Sequence, residues 1–569
     1  MFAISRQSDR EKASLTLGAD GVVLIPRTPP RQQRYKSLSL LLLNLGCVLG
    51  ISMVATPARS ADRVSLFVGP LEFSLAVESL QRYADNGNVQ PDLAPYINRL
   101  NDEQQEQLRK ILGTRAEVTP VAISQFLYTP QGEIILRELG TLIQTRSGQS
   151  GFYAIRSALI LAAADKEGLT PLNVLRKFPT TSIRINSARV FELIGRVSSL
   201  VRQTEGAISA IRQEALTEIG NDSSEFPLDL QQAGSIPFTQ QSLILNDVAR
   251  NRTFPIDFYL PQQGTSVPLI VISHGLGSNR DSYRYLALHL ASHGFAVAVP
   301  EHPGSNAAQL QALANGLVKD ITPPRELLDR PLDVKFLLDE LQRQYPQQID
   351  WQRVGVVGQS FGGYTALALA GAQLNTEELQ SNCDPNSLDF NISFLLQCQA
   401  LRLPEPNYNL SDSRIKAAIA INPLSSQIFG PQQLASLKTP IMLISGSADA
   451  VTPALEEQIR PFTTLTTPDK YLVLLENGTH FSTIGTTDED IALPPQVLGP
   501  DPAIAYDYTK AMALAFFQTY VAGNAQYSPY LSAAYAQSIS RWPIPLSFIK
   551  SLSLEQLQSS MQETHLTVK

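Results

Sequence analysis

Residues 354–364 read Val354-Gly355-Val356-Val357-Gly358-Gln359-Ser360-Phe361-Gly362-Gly363-Tyr364. A short apolar run leads into Gly-x-Ser-x-Gly, and the stretch Tyr364 to Ala372 that follows is apolar enough for a buried helix. A strand that turns sharply into a helix pushes the middle residue out of the sheet. Glycines two before and two after it, here Gly358 and Gly362, leave room for the turn. A chain this long meets the five-residue pattern by chance about one time in five at ordinary Gly and Ser usage. The flanking strand and helix therefore carry the inference. A serine hydroxyl becomes nucleophilic when a neighbouring base takes its proton, and the helix start favours the negative charge that then develops.

Working outward, the same grammar extends in both directions. Ser242 to Leu245 and Phe254 to Leu260 read as two opening strands. Pro268 to Ser273 and Ala296 to Pro300 are strands on either side of a helix, Tyr283 to His293. A helix over Leu327 to Gln344 precedes the strand Val354 to Val357. Beyond the serine, Ala417 to Ile421, Ile441 to Ser445 and Tyr471 to Leu475 are apolar almost throughout. Apolar strands alternating with amphipathic helices predict a mostly parallel sheet flanked by helices, an α/β fold. In such a sheet the active groups gather at the carboxyl ends of the strands.

That rule sorts the partners of Ser360. Two histidines lie beyond it, His480 and His565. His565 is five residues from the end in a polar stretch, whereas His480 closely follows the strand Tyr471 to Leu475 and is the expected base. The acid should also follow a strand. Asp412 and Asp469 precede theirs, and Asp449 follows Ile441 to Ser445, so Asp449 is preferred with Glu476 as runner-up. Asp449 also suits the role of a cap for a helix beginning at Thr452-Pro453. Ser273-His274-Gly275-Leu276-Gly277 follows another strand, and the backbone N–H groups of Leu276 and Phe361 are the expected oxyanion donors. His274 reads as structural; His302 reads either as a pocket residue or as a loop histidine.

The chain has 569 residues, enough for two or three folded units, and a net charge of −7. The first 60 residues hold 8 Lys/Arg and 3 Asp/Glu, so the remainder is markedly acidic and without a basic run, which argues against a nucleic-acid partner. Arg31, Arg34 and Lys36 precede an apolar run from Leu38 to Ala55, and small residues lead to Ala61. Residues 1–61 thus read as an extension plus a signal peptide or an uncleaved anchor, which predicts export or membrane attachment. Cys47 sits in that run as a bystander. The remaining thiols, Cys383 and Cys398, are expected to pair as a disulfide outside the cytoplasm. Residues 62–225 carry apolar side chains at three- and four-residue spacing, as in Leu71 to Asn86, Pro120 to Leu142 and Ala188 to Glu218, and predict an all-helical domain. A catalytic domain over 226–545 and a C-terminal tail over 546–569 complete the expected organisation.

His274-Gly-Leu-Gly-Ser278, Glu301-His302-x-x-Ser305, Gly358-Gln-Ser-Phe-Gly-Gly363 and Arg252-Thr-x-Pro-Ile-Asp257 together resemble the platelet-activating factor acetylhydrolase group and the dienelactone-hydrolase-like proteins around it. The resemblance covers about residues 235 to 525. It implies the α/β-hydrolase fold and a serine esterase that releases short or oxidised acyl chains from phospholipid-like esters. No metal or cofactor is implied, and association with a membrane surface is compatible with it. The region 62–225 resembles a domain of unknown function fused to such hydrolases in cyanobacteria. Gln359 stands where the group commonly has histidine, and the serine argues against dienelactone hydrolysis, which uses a cysteine. The segment 373–413, longer than a simple connection, is placed to shape the pocket. Other expected substrates are triglycerides, polyesters or small esters; the reading from another class is a non-catalytic binding protein on a hydrolase scaffold.

Overall fold

The computed structural model describes residues 61–68, 71–220, 225–262, 264, 266–383, 391–485 and 495–567. The expected leader lies outside them, Ala61 excepted. The described residues form one compact unit.

The first part of that unit corrects the all-helical expectation. β1 (Arg63–Val68) pairs antiparallel with β2 (Leu71–Ala76), β3 (Ile143–Thr145) pairs antiparallel with β4 (Ser182–Asn186), and β4 runs parallel to β1. The order is β2-β1-β4-β3. Each strand has at most six residues, too few to stand out against the helical periodicity around it. Leu71 and Leu75 have helical spacing and also the period of two of a strand; the helix of this stretch begins only at Val77. The expected helix Pro120 to Leu142 is two, Pro120–Leu127 and Pro130–Leu142. Pro130 cannot continue the first, and Thr129 caps the second by accepting from Gly132 N.

The second sheet has nine strands. β5 (Phe238–Asp247) and β6 (Arg252–Pro261) are antiparallel, as are β6 and β8 (Ala296–Pro300). β7 (Val267–Ser273), β8, β9 (Ile349–Gln359), β10 (Ile415–Ile421), β11 (Ile441–Gly446) and β12 (Lys470–Leu475) run parallel, in the order β12-β11-β10-β9-β7-β8. The chain passes from β7 to β8 on one side and then crosses back to β9 on the other side of β7, which puts the serine strand near the middle. Along β7, Leu269 and Val271 pack into one apolar core while Ile270 and Ile272 pack into another. The sheet is thus covered on both faces, and its strands read as continuous apolar runs for that reason. This is the α/β-hydrolase fold.

Residues 546–569 are not a tail. β13 (Leu546–Ile549) adds antiparallel to β12, and the helix Leu554–Thr567, in which His565 falls, lies along the 33-residue helix Ser187–Ile219. Leu546, Phe548, Ile549, Leu557 and Met561 are buried. Ser560 Oγ donates to Gly206 O at 2.8 Å, and Lys550 N donates to Glu218 Oε1 at 2.7 Å. The polar look of the segment hid this, because only one side of a short helix is covered.

Cys383 and Cys398 are disulfide-bonded, with Cα atoms 5.6 Å apart. The described parts of the insertion pack beside the loop after β11. Ser393 N donates to Val451 O, and buried Glu457 accepts from Asn391, Ser393 and Gln397.

Two outcomes test this packing. Gly206→Ala places a methyl 2.7 Å from the Cα of Met561, and should lower stability by about 1–3 kcal/mol through overpacking, read from urea unfolding. Replacing both Cys383 and Cys398 by alanine opens a 15-residue loop and should cost about 3 kcal/mol, read as a lower unfolding midpoint with unchanged slope.

Candidate active site

Ser360 stands between β9 and the helix Phe361–Ala370, with φ 55° and ψ −116°. A side chain tolerates this left-handed backbone at a cost of about 1–3 kcal/mol, which surrounding contacts must offset. Those contacts are close. A Cβ on Gly358 would fall 2.0 Å from Gly362 O, and one on Gly362 would fall 1.9 Å from Ser273 O. No residue but glycine fits either place. Ser360 N donates to Ile421 O at 2.8 Å, which fixes the turn to the end of β10.

Asp449 and His480 meet beside the elbow. His480 Nδ1 lies 2.7 Å from Asp449 Oδ2. Asp449 Oδ1 accepts from Val451 N at 2.7 Å and Thr452 N at 2.8 Å. Oδ2 thus faces the histidine while Oδ1 holds the turn at Val451 and Thr452; the cap reading does not hold, because the helical segment Leu455–Ile459 has Ala454 at its N-cap. The loops carrying the two residues are bound together, since Ala448 N donates to Gly478 O at 2.8 Å. Ser360 is 6% exposed, and its Oγ makes no hydrogen bond among the described residues. His480 Nε2 instead faces the amide of the adjacent Gln359, at 3.2 Å. Sequence reasoning treated Gln359 only as a flank of the serine. Nothing in a single sequence could indicate that its side chain reaches the base.

Glu476, the runner-up acid, does not approach His480. It takes a bidentate pair from Arg212 of the long helix, with Nε to Oε1 at 2.7 Å and Nη2 on Oε2. The N-terminal part of the chain is thus tied four residues from His480.

Leu276 and Phe361 present backbone N–H groups that donate to no acceptor among the described residues. Phe361 is the first residue of its helix, where such groups are free by geometry. Gly277 N donates to Ser305 O at 2.8 Å, which fixes the loop after Leu276.

His302 lies in the loop after β8 and is fully buried, so it lines no pocket. Its Nδ1 donates to Asp333 Oδ2 and its Nε2 accepts from Ser273 Oγ, both at 3.0 Å. His302 N donates to His274 Nε2 at 3.0 Å, and His274 Nδ1 donates to Gly275 O at 2.8 Å. Both rings are therefore neutral tautomers, as assigned from their partners. Burial, with the Arg330 cation next, holds both imidazoles well below the usual histidine range. Arg330 is itself fully buried, which brings it down to about 9. It donates to Ser305 Oγ and His274 O, and its guanidinium stacks 4.4 Å from the Phe361 ring centroid. Arg252 bridges Asp333 and Glu326, with Nε to Asp333 Oδ1 and Nη1 to Glu326 Oε1 both at 2.7 Å. Arg252, His302 and Ser305, all in the motifs quoted above, thus brace the loop that carries Leu276.

Residues 60–186 match a family described as alpha/beta hydrolase of unknown function (DUF1400), and residues 243–322 match platelet-activating factor acetylhydrolase, isoform II. The second match ends before Ser360. Platelet-activating factor acetylhydrolase of Canis lupus familiaris is 29% identical over 210 residues, covering 29% of this chain and 44% of its own. The proteins of the same name from Bos taurus and Cavia porcellus are 29% and 30% identical, each over 18% of this chain and 32% of their own. The chain thus spans less than half the length of these curated relatives. Over these segments the chain is similar to platelet-activating factor acetylhydrolases, on an α/β-hydrolase fold.

The buried histidines give stability a pH dependence of defined sign. An unfolded histidine takes a proton near pH 6.5, whereas folded His274 and His302 do not. The unfolded chain then binds more protons, so stability is fully present above about pH 6.5 and falls as pH drops. Asp333 and Glu326, pushed up by burial, act in the opposite sense only toward the carboxylate range. Urea unfolding between pH 7.5 and 5.5 should show stability declining by up to about 1.4 kcal/mol per pH unit per histidine; a flat profile would contradict the buried neutral state.

Proposed function

We propose that this chain is a serine hydrolase of carboxylic esters, acting through an acyl-enzyme on Ser360. The observation that carries the reading is the 2.7 Å contact of Asp449 with His480 Nδ1, which leaves the other ring nitrogen turned toward the elbow. With Nδ1–H donated to Asp449, Nε2 carries a lone pair and serves as base.

In the first step Ser360 Oγ bonds to the ester carbonyl carbon, and its proton passes to His480 Nε2. Asp449 stabilises the imidazolium, while the N–H groups of Leu276 and Phe361 receive the carbonyl oxygen as it becomes an oxyanion. Collapse of the tetrahedral intermediate breaks the ester C–O bond, and the imidazolium gives its proton to the departing alkoxide. Water, deprotonated by His480, then releases the acid and restores Ser360. None of these steps requires a metal or cofactor.

For substrate, the named relatives favour phospholipid-like esters with short acyl chains. Export from the cytoplasm, through the apolar leader read from the sequence, agrees with the Cys383–Cys398 disulfide.

The mature protein should hydrolyse p-nitrophenyl acetate or butyrate, and a fluorophosphonate should label Ser360. Ser360→Ala and His480→Ala should each lower kcat/KM by at least about 10³-fold, with far-UV circular dichroism unchanged. A folded sample with neither turnover nor labelling would leave a binding protein as the better reading. In a chain-length series, a steep preference for two to four carbons supports the acetylhydrolase-like substrate, and interfacial activation on long chains overturns it in favour of a lipase.

A further inference from the structure

Gln359 is 1% exposed, and its amide lies between the two halves of the site. Its Nε2 is 3.2 Å from His480 Nε2 and also 3.2 Å from His480 O. A backbone carbonyl only accepts, so the atom facing it is the amide nitrogen, and the orientation of the side chain follows. The same nitrogen meets an acceptor at His480 Nε2, since the ring proton is on Nδ1 and donated to Asp449. The amide oxygen, buried and without a hydrogen-bond partner among the described residues, points at the oxyanion loop: a Cβ on Gly275 would sit 2.3 Å from it. Gly275 immediately precedes Leu276.

We infer that Gln359 is a positioning residue that sets the basicity of His480 and its spacing from the oxyanion loop. The inference rests on the acyl-transfer reading for its consequence in catalysis. The physical case has two parts. A donor on Nε2 stabilises the neutral ring and is repelled by the N–H of the imidazolium. It also occupies the lone pair that Ser360 Oγ–H needs. The serine must therefore displace one amide hydrogen bond at attack, while the bond to His480 O keeps the ring in place. The groups around the ring allow this effect to be isolated. Asp449 is the one ionisable side chain bonded to it among the described residues. Thr452 Oγ1, 3.3 Å from Nδ1, and the Phe481 ring, with centroids 5.5 Å apart, are neutral. Glu476 is engaged by Arg212.

The test uses Gln359→Met, which keeps the length and removes the donor, and Gln359→Glu, which replaces the donor with an anion. The readout is the titration of the His480 ring, followed by NMR of the full chain labelled in its six histidines, with His480→Gln assigning the resonance. This measurement needs no substrate. The midpoint should rise by a few tenths of a pH unit in Gln359→Met and by about one unit or more in Gln359→Glu, as an anion beside the ring requires. The acid limb of kcat/KM, and of fluorophosphonate labelling, should move with it. A merely structural role would lower the unfolding temperature and leave the midpoint within 0.2 unit of the parent, and that result overturns the inference. The two proposals separate cleanly. A parent protein that does not label or turn over refutes the acyl-transfer reading alone, while an unmoved midpoint in a folded Gln359→Met variant refutes this one alone.

Discussion

The turn at Ser360 is the constraint on which the site depends. Its positive φ exists only because the chain on both sides is pressed against backbone, with Gly358 against Gly362 and Gly362 against Ser273. The second contact joins the start of the helix to the end of β7, so the conformation that turns Ser360 out of the sheet also fixes the start of the loop after β7. Tethers from β10 and β11 complete the arrangement. Ser360 N is held by Ile421 O, and Asn422 Oδ1 accepts from Gly446 N at 2.8 Å. Ser360, Asp449 and His480 thus follow the ends of β9, β11 and β12, with β10 tied between the first two, so they cannot shift independently.

Beneath the oxyanion loop lies a cluster that is costly to bury. Arg252, Glu326, Asp333, Arg330 and His302 are largely removed from water, and removal of any one would leave a charge or a ring uncompensated. Such a cluster is a poor source of net stability against an apolar core of equal volume. What it supplies is direction: guanidinium and imidazole donors at fixed angles hold the carbonyls of His274 and Gly275, so that the next N–H faces the site. Arg252, His302 and Ser305, from the motifs that carry the resemblance to the acetylhydrolase group, fall in or against this cluster.

The N-terminal part joins the catalytic sheet along one long helix. Its second half is buried at Gly206, Ala207, Ala210, Ile211 and Ala215, of which all but Ile211 are small and let the C-terminal helix and β13 come close. Through Arg212 and Glu476 the same helix reaches the loop of the base. The part of the chain that precedes the large sheet is therefore mechanically continuous with the part that carries Ser360, Asp449 and His480.

The sequence by itself determined the parallel sheet, the elbow and the order of Ser360, Asp449 and His480. A strand buried on both faces must be apolar throughout, and active groups at strand ends fall at predictable places in the chain. The short strands β1 to β4 escaped it because a six-residue run satisfies more than one periodicity. The C-terminal helix escaped it because its partner helix lies more than 300 residues away and a half-covered helix looks polar, and β13 escaped it because it is only four residues long. Only the tertiary structure decided what His302, Glu476 and Gln359 do. A histidine after a strand is compatible with a pocket, a loop or a buried brace; its environment is set by Asp333 and Ser273 from elsewhere in the chain. Glu476 follows the right strand to be the acid, yet the guanidinium of Arg212 claims it from outside the sheet. Side-chain chemistry is written locally, but the partner that gives each group its role is chosen by packing.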